Sequence, residues 1–108
     1  MSISSNITHP SVSNLRVKVV AVKDTATNMF GMPITAQHVA SVVRSFVGDV
    51  NKPPRADGSH QSEFSQNPSD FDLYYLGEFD TTTGQFFPTE SGQPERLMRG
   101  QDAKQPVH

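Results

Sequence analysis

Phe71-Asp72-Leu73-Tyr74-Tyr75-Leu76-Gly77-Glu78-Phe79 is the stretch that decides the fold. Its alternation puts Phe71, Leu73, Tyr75 and Phe79 on one face of a strand and Asp72, Tyr74, Leu76 and Glu78 on the other. Asp80-Thr81-Thr82-Thr83-Gly84 follows, and Gly84 can take the positive φ that closes a hairpin loop. Gln85-Phe86-Phe87-Pro88 is then a short return strand, with Pro88 suited to an edge or a strand end because it has no N–H to give a ladder. Upstream, Leu15-Arg16-Val17-Lys18-Val19-Val20-Ala21-Val22 is rich in β-branched residues and starts with Arg16 and Lys18 on one face. From Val20 both faces become apolar, and Asp24 ends the strand.

Between the two strands, Val39, Val42, Val43, Phe46, Val47 and Val50 form one apolar stripe of period 3.6. This predicts a helix with Thr35 as its N-cap and Asn51-Lys52-Pro53 as its stop. Gln37, His38, Ser41, Arg44 and Ser45 make its opposite face. The expected class is α+β: a small β-α-β-β unit in which a right-handed crossover lays one helix on a three-stranded sheet. No internal repeat is present.

This compact part spans residues 15–88 and includes a long polar loop over 51–67. Residues 1–14 and 89–108 lack any period that would bury a face, so both are expected to be flexible polar tails. Their dilution explains why only 34% of the 108 residues are hydrophobic, a length that suits one domain. The absence of cysteine excludes a disulfide scaffold and a thiolate zinc site. No apolar run exceeds four residues, so no transmembrane helix is expected, and the N-terminus does not read as a secretory signal. These features point to a small soluble intracellular protein. One helix on three strands leaves the second sheet face open, with Tyr74 and Leu76 on it, and contiguous apolar surface of this kind marks a candidate partner site. A second copy of the chain is the expected partner, with cover by the loop or a tail as the alternative.

The formal charge of −2 conceals a division. Residues 1–55 carry six cations (Arg16, Lys18, Lys23, Arg44, Lys52 and Arg55) against two carboxylates, a balance of +4. Residues 56–108 carry three cations against nine carboxylates, a balance of −6. The six cations are candidate phosphate contacts, set against the plain reading of a solvated face. Tyr74, Phe86 and Phe87 are the candidate stacking platforms, because Phe46, Phe71 and Phe79 fall at core periods. Asp72, Glu78 and Asp80 alternate as on an ordinary solvated strand face, and Asp70 reads as a turn or cap residue. His9, His38, His60 and His108 are scattered without metal-ligand spacing, and no phosphate loop or nucleophile elbow occurs. Neither enzymatic activity, nor a cofactor, nor a metal is expected.

Several blocks together resemble one family. Phe30-Gly31-Met32-Pro33 precedes a helix carrying Arg44-Ser45-Phe46, and Phe64-Ser65-Gln66-Asn67-Pro68-Ser69-Asp70 runs into Phe71 to Asp80 and then Thr83-Gly84. Over roughly residues 15–88 this resembles the small nonstructural protein of gokushovirus-type microviruses, single-stranded DNA bacteriophages. Asn67, where that family more often has His, and the longer loop and tails depart from its pattern. The resemblance implies a protein of the host cytoplasm, absent from the mature virion, that serves viral DNA replication. It further implies either DNA binding or the role of the accessory factor that diverts synthesis toward packaged single strands; it supplies no catalytic residue.

Two functions follow as expectations. The first is binding of single-stranded or replicative-form phage DNA through Arg16, Lys18, Lys23, Arg44, Lys52 and Arg55, by a protein expected to be a homo-oligomer. The second is a protein–protein adaptor that docks on the replication initiator, host replication machinery or precapsid through Tyr74, Leu76 and the acidic stretch. An enzyme is a distant third, and a ribbon-helix-helix regulator is disfavoured by the single helix.

Overall fold

The structure, a computed structural model, describes residues 15–105. The N-terminal tail expected over 1–14 lies outside the described residues. The elements are β1 (Arg16–Asp24), β2 (Met29–Phe30), β3 (Ile34–Ala36), α1 (Val39–Val50), α2 (Glu63–Gln66), β4 (Phe71–Asp80), β5 (Phe86–Pro88), β6 (Glu95–Arg99) and α3 (Gly100–Ala103). The class is α+β, but the sheet has six strands rather than three. Long antiparallel strands β1 and β4 form its centre; β2 and β3 pair with the free side of β1, and β5 and β6 with that of β4.

The extra strands come from segments too short to show a period. Asp24 accepts from the N–H groups of Ala26 and Thr27 and opens a tight turn that Asn28 closes at φ 61°. The chain therefore reverses into β2 and β3, where Thr35 pairs with Val19. Thr35 is thus committed to a ladder and does not cap α1; His38 holds that position, without a side-chain cap bond. The crossover starts at β3 rather than β1. β3 and β4 flank β1, both antiparallel to it, and α1 connects them as in a split β-α-β unit.

The expected stripe of α1 does face the sheet, with Val42, Phe46 and Val50 buried against Val20, Phe71 and Leu73. Phe64, on α2, joins this core edge-to-face with Phe71 at 4.9 Å and tilted to Phe46 at 5.8 Å. Ser62 caps α2 by accepting from the Ser65 N–H.

The C-terminal stretch is a second correction. Glu95 to Ala103, expected within a flexible tail, forms β6 and α3. Its order has three sources: ladder bonds to β4, burial of Ala103 in the core, and the Asn51 side chain. Asn51 donates to the carbonyls of Val47 and Ala103 and accepts from the Gln105 N–H. Gly100 completes the contact, since a Cβ there would lie 2.0 Å from the Pro68 carbonyl oxygen and 2.4 Å from that of Phe71.

One irregularity sets the face of every residue beyond it. Val20 lies opposite Tyr75 but Val19 lies opposite Gly77, so Leu76 is the extra residue of a β-bulge. The alternation of β4 shifts there. Phe79, expected to share the face of Phe71, Leu73 and Tyr75, joins Leu76 on the opposite one, while Glu78 moves to the face of Tyr75. Gly77 adopts φ 146°, and a Cβ on it would meet the Phe87 carbonyl oxygen at 2.2 Å. Gly77→Ala and Gly100→Ala should each cost more than about 2 kcal/mol, read as a fall of roughly 10 °C in Tm. Gly48→Ala, in α1 with open space around the new methyl, should instead gain up to about 1 kcal/mol.

Candidate functional site

Directly opposed residues of antiparallel strands share a face, so the ladder registers place side chains in rows. On the face covered by α1, Val22, Leu73 and Met98 form one row and Ile34, Val20, Tyr75 and Glu95 the next. The other face carries no helix among the described residues, because α1, α2 and α3 all contribute to the core on the first. Its rows divide in two. Phe30, Lys23, Asp72 and Arg99 make one row, and Ala21, Tyr74 and Arg96 the next. Beyond these come Thr35, Val19, Gly77 and Pro88, and then Val17, Phe79 and Phe86.

The first two rows combine cations with aromatic rings. Phe30 and Tyr74 meet edge-on with centroids 5.2 Å apart. The Lys23 ammonium stands 5.3 Å from the Phe30 centroid and 5.8 Å from that of Tyr74. Arg96 lies 3.8 Å from the largely buried carboxylate of Asp72, and Arg99 is exposed across from the same Asp72. Arg96 thus pairs with Asp72 while Lys23 and Arg99 stand across from it on the neighbouring strands, so the two rows keep a net positive charge of two, with Lys23 beside the exposed Phe30 ring and the half-buried Tyr74 ring. Such a surface can hold a phosphate chain and stack planar groups.

The six cations singled out from the sequence do not come together. Arg16 and Lys18 lie on the helix-covered side of the sheet and both bind Glu78, Arg16 at 3.5 Å. Arg16 also covers the Phe87 ring at 3.9 Å, which removes Phe87 as a stacking platform. Lys52 pairs with Asp49 at 3.5 Å, and Arg55 donates to the His60 carbonyl inside its own loop. Arg44 is exposed on α1. Lys23 alone joins the aromatic cluster. Of the candidate platforms, Tyr74 is in this cluster and Phe86 lies at the apolar end with Leu76. Phe30, Arg96 and Arg99 were missed. Asp24 to Asn28 repeats the Asp-Thr-x-Thr-Asn/Gly form of Asp80 to Gly84, a signal that a return strand containing Phe30 follows; Arg96 and Arg99 were hidden by reading their segment as a tail.

The Glu78 cluster gives the protein an acid limit. Ion pairing with Lys18, and secondarily Arg16, holds the Glu78 carboxyl below its usual range and raises Lys18 above its own. Hydrogen bonds from the Thr82 hydroxyl and N–H hold Asp80 low as well. Both folded carboxyls bind protons more weakly than in the unfolded chain. Their stabilisation is therefore whole above roughly pH 5 and is lost as pH falls through about 4 and below. The Lys18 contribution has the opposite sense, complete below its usual value and lost as pH rises through the elevated one. Thermal unfolding from pH 7 to 3 should show this acid loss, and Glu78→Gln should flatten it while costing no more than about 1 kcal/mol at pH 7.

Among the described residues no group of three or more His, Asp or Glu is placed to hold a metal ion, and no helix is long and apolar enough to cross a membrane. No curated protein and no solved structure matches the chain. A family model described as Phage ORF5 protein matches residues 17–103, from β1 through α3 and so including both the open sheet face and the C-terminal strand that supplies Arg96 and Arg99. The chain belongs to the Phage ORF5 protein family.

Proposed function

We propose that this phage protein is a non-enzymatic, nonstructural DNA-binding protein that acts in viral single-stranded DNA replication or genome packaging. The observation that carries the reading is Lys23 set against Phe30 and Tyr74, with Arg96 and Arg99 on β6 in the same two rows of an uncovered sheet face. Rings on an uncovered sheet face can stack on unpaired bases, which favours a single strand over a duplex. The cations beside them supply sequence-independent phosphate contacts. The resemblance to gokushovirus-type microviruses supports the same setting: host cytoplasm, no place in the mature virion, and no cofactor.

A second reading, an adaptor for the replication initiator, host machinery or precapsid, has its own observation. Arg16, Lys18 and Lys52 are paired with carboxylates and the six cations form no stripe, while Leu76 lies in an apolar groove.

Fluorescence anisotropy with a labelled single-stranded oligonucleotide separates the readings. Micromolar affinity at low salt is expected, with log K falling against log salt at a slope of about −2 for three phosphate contacts. Tyr74→Ala should weaken binding at least fivefold, as should Lys23→Ala, with Arg44→Ala unchanged. Absence of binding at low salt overturns the DNA reading, and nuclease-resistant capture of a phage replication protein would then support the adaptor.

A further inference from the structure

We propose that the groove between the β2–β3 segment and α2 docks a partner-protein segment in which a lysine or arginine stands beside a large apolar residue. Strand register creates this groove. Phe30 lies opposite Lys23 and Ile34 opposite Val20, so Gly31, Met32 and Pro33 face only Ala21 and Val22 of β1. The extra residue bows the segment outward, with Gly31 held by its N–H on the Val22 carbonyl at 2.8 Å. Two cavities of about 260 and 320 Å³ open beside it and share Val22, Gly31 and Phe64 as a common wall. The inner one is apolar, with Val20, Met32, Ile34 and Leu73 in its lining. The outer one adds Asp24, Glu63 and Phe71. Met29, Phe30, Met32 and Ile34, four large apolar residues that stay exposed, all stand on this one segment, Met32 at 86%. Contiguous exposure of this kind marks a protein contact, and methionine suits one that must adapt to its partner.

Charge and ring chemistry select the occupant. Met29, Asp24 and Phe71 form one row across β2, β1 and β4, and Phe64 meets Phe71 edge-on. The outer cavity therefore sets a carboxylate against aromatic rings. Asp24 Oδ1 accepts from the Ala26 and Thr27 N–H groups, which leaves Oδ2 for a ligand. Glu63 is exposed at the start of α2 on the same cavity. No lysine or arginine lines either cavity, and among the described residues neither carboxylate forms an ion pair. An ammonium or guanidinium seated there gains both charge pairing and attraction to the rings, while its apolar neighbour fills the inner cavity. Residues 1–14 contain no lysine or arginine, so that segment lacks the required cation. Apart from Phe30 at the sheet edge, the groove shares no residue with the DNA-binding rows, and it stands independently of the DNA reading.

Panning a random heptapeptide library against the full chain should enrich lysine or arginine next to leucine, isoleucine, methionine or phenylalanine. The consensus peptide, added to protein with isotope-labelled methionine methyls, should shift the signals of Met29 and Met32 and leave that of Met98, packed against the core, in place. Glu63→Lys should weaken peptide binding at least about tenfold. Met32→Ser should weaken it at least about threefold with oligonucleotide binding unchanged, which keeps the proposal testable should Glu63→Lys fold poorly. No enrichment, enrichment of acidic or uncharged peptides, or shifts that spare Met29 and Met32 overturn the proposal. Spermidine alone reproducing the shifts while no peptide is enriched assigns the groove to a small polyamine and also overturns it. So does a dimer in sedimentation velocity at about 500 µM that Glu63→Lys dissolves, which assigns the groove to a second copy.

Discussion

The antiparallel pairing of β1 with β4, and the single bulge at Leu76 within it, is the constraint on which the rest of the molecule depends. Val20 and Leu73 are almost wholly buried at its centre, and every other strand adds to one or the other of these two. The bulge exchanges the two faces for the last residues of β4. As a result Glu78 stands under Arg16 and Lys18, and Phe79 joins Leu76 and Phe86 on the open side. Without the extra residue, Phe79 would extend the core face, Glu78 would lie on the open face, and Arg16 and Lys18 would lose the carboxylate that neutralises them.

That shift separates the open face into two chemistries. Toward Asp24 the rows carry Lys23, Arg96, Arg99, Phe30 and Tyr74; toward Arg16 they carry Val17, Val19, Phe79 and Phe86. Of the six cations that composition brought forward, Arg16, Lys18 and Lys52 are engaged in ion pairs and Arg55 in a loop hydrogen bond, whereas Lys23 lies on the open face in line with Asp72 and Arg99, beside Arg96. Asp72 is itself an organising group: its carboxylate, flanked by Lys23 on β1 and by Arg96 and Arg99 on β6, lowers the repulsion among three cations held on neighbouring strands. A basic surface can therefore exist on a chain whose formal charge is −2.

The core depends just as closely on the C-terminal segment. Ala103 fills a place beside Val50, Asn51 bonds to its carbonyl, and Gly100 passes so close to Pro68 and Phe71 that no side chain fits. These contacts tie the end of α1 and the turn before β4 to the last strand. Arg96 and Arg99 are held in position by the same ties, so the cationic rows and the integrity of the core are not independent.

Periodic segments were legible without any structure. The helix over Val39 to Val50, the two long strands and the Asp80 to Gly84 turn follow from spacing and turn chemistry within one stretch of chain, because each repeats its burial signal several times. Two- and three-residue strands give no period, so β2, β3 and the reversal at Asn28 went unread, and with them Phe30. Glu95 to Arg99 has too few apolar residues to announce a strand; pairing with β4 and the Asn51 bonds order it. By itself the sequence determined the α+β class, the helix face, the exclusion of disulfides and the uneven charge. Tertiary structure decided which cations are free, which rings are uncovered and where Phe79 points. Those outcomes depend on strand register, on one bulge and on contacts between residues as far apart as Asn51 and Ala103, and register is a relation between segments that no single segment encodes.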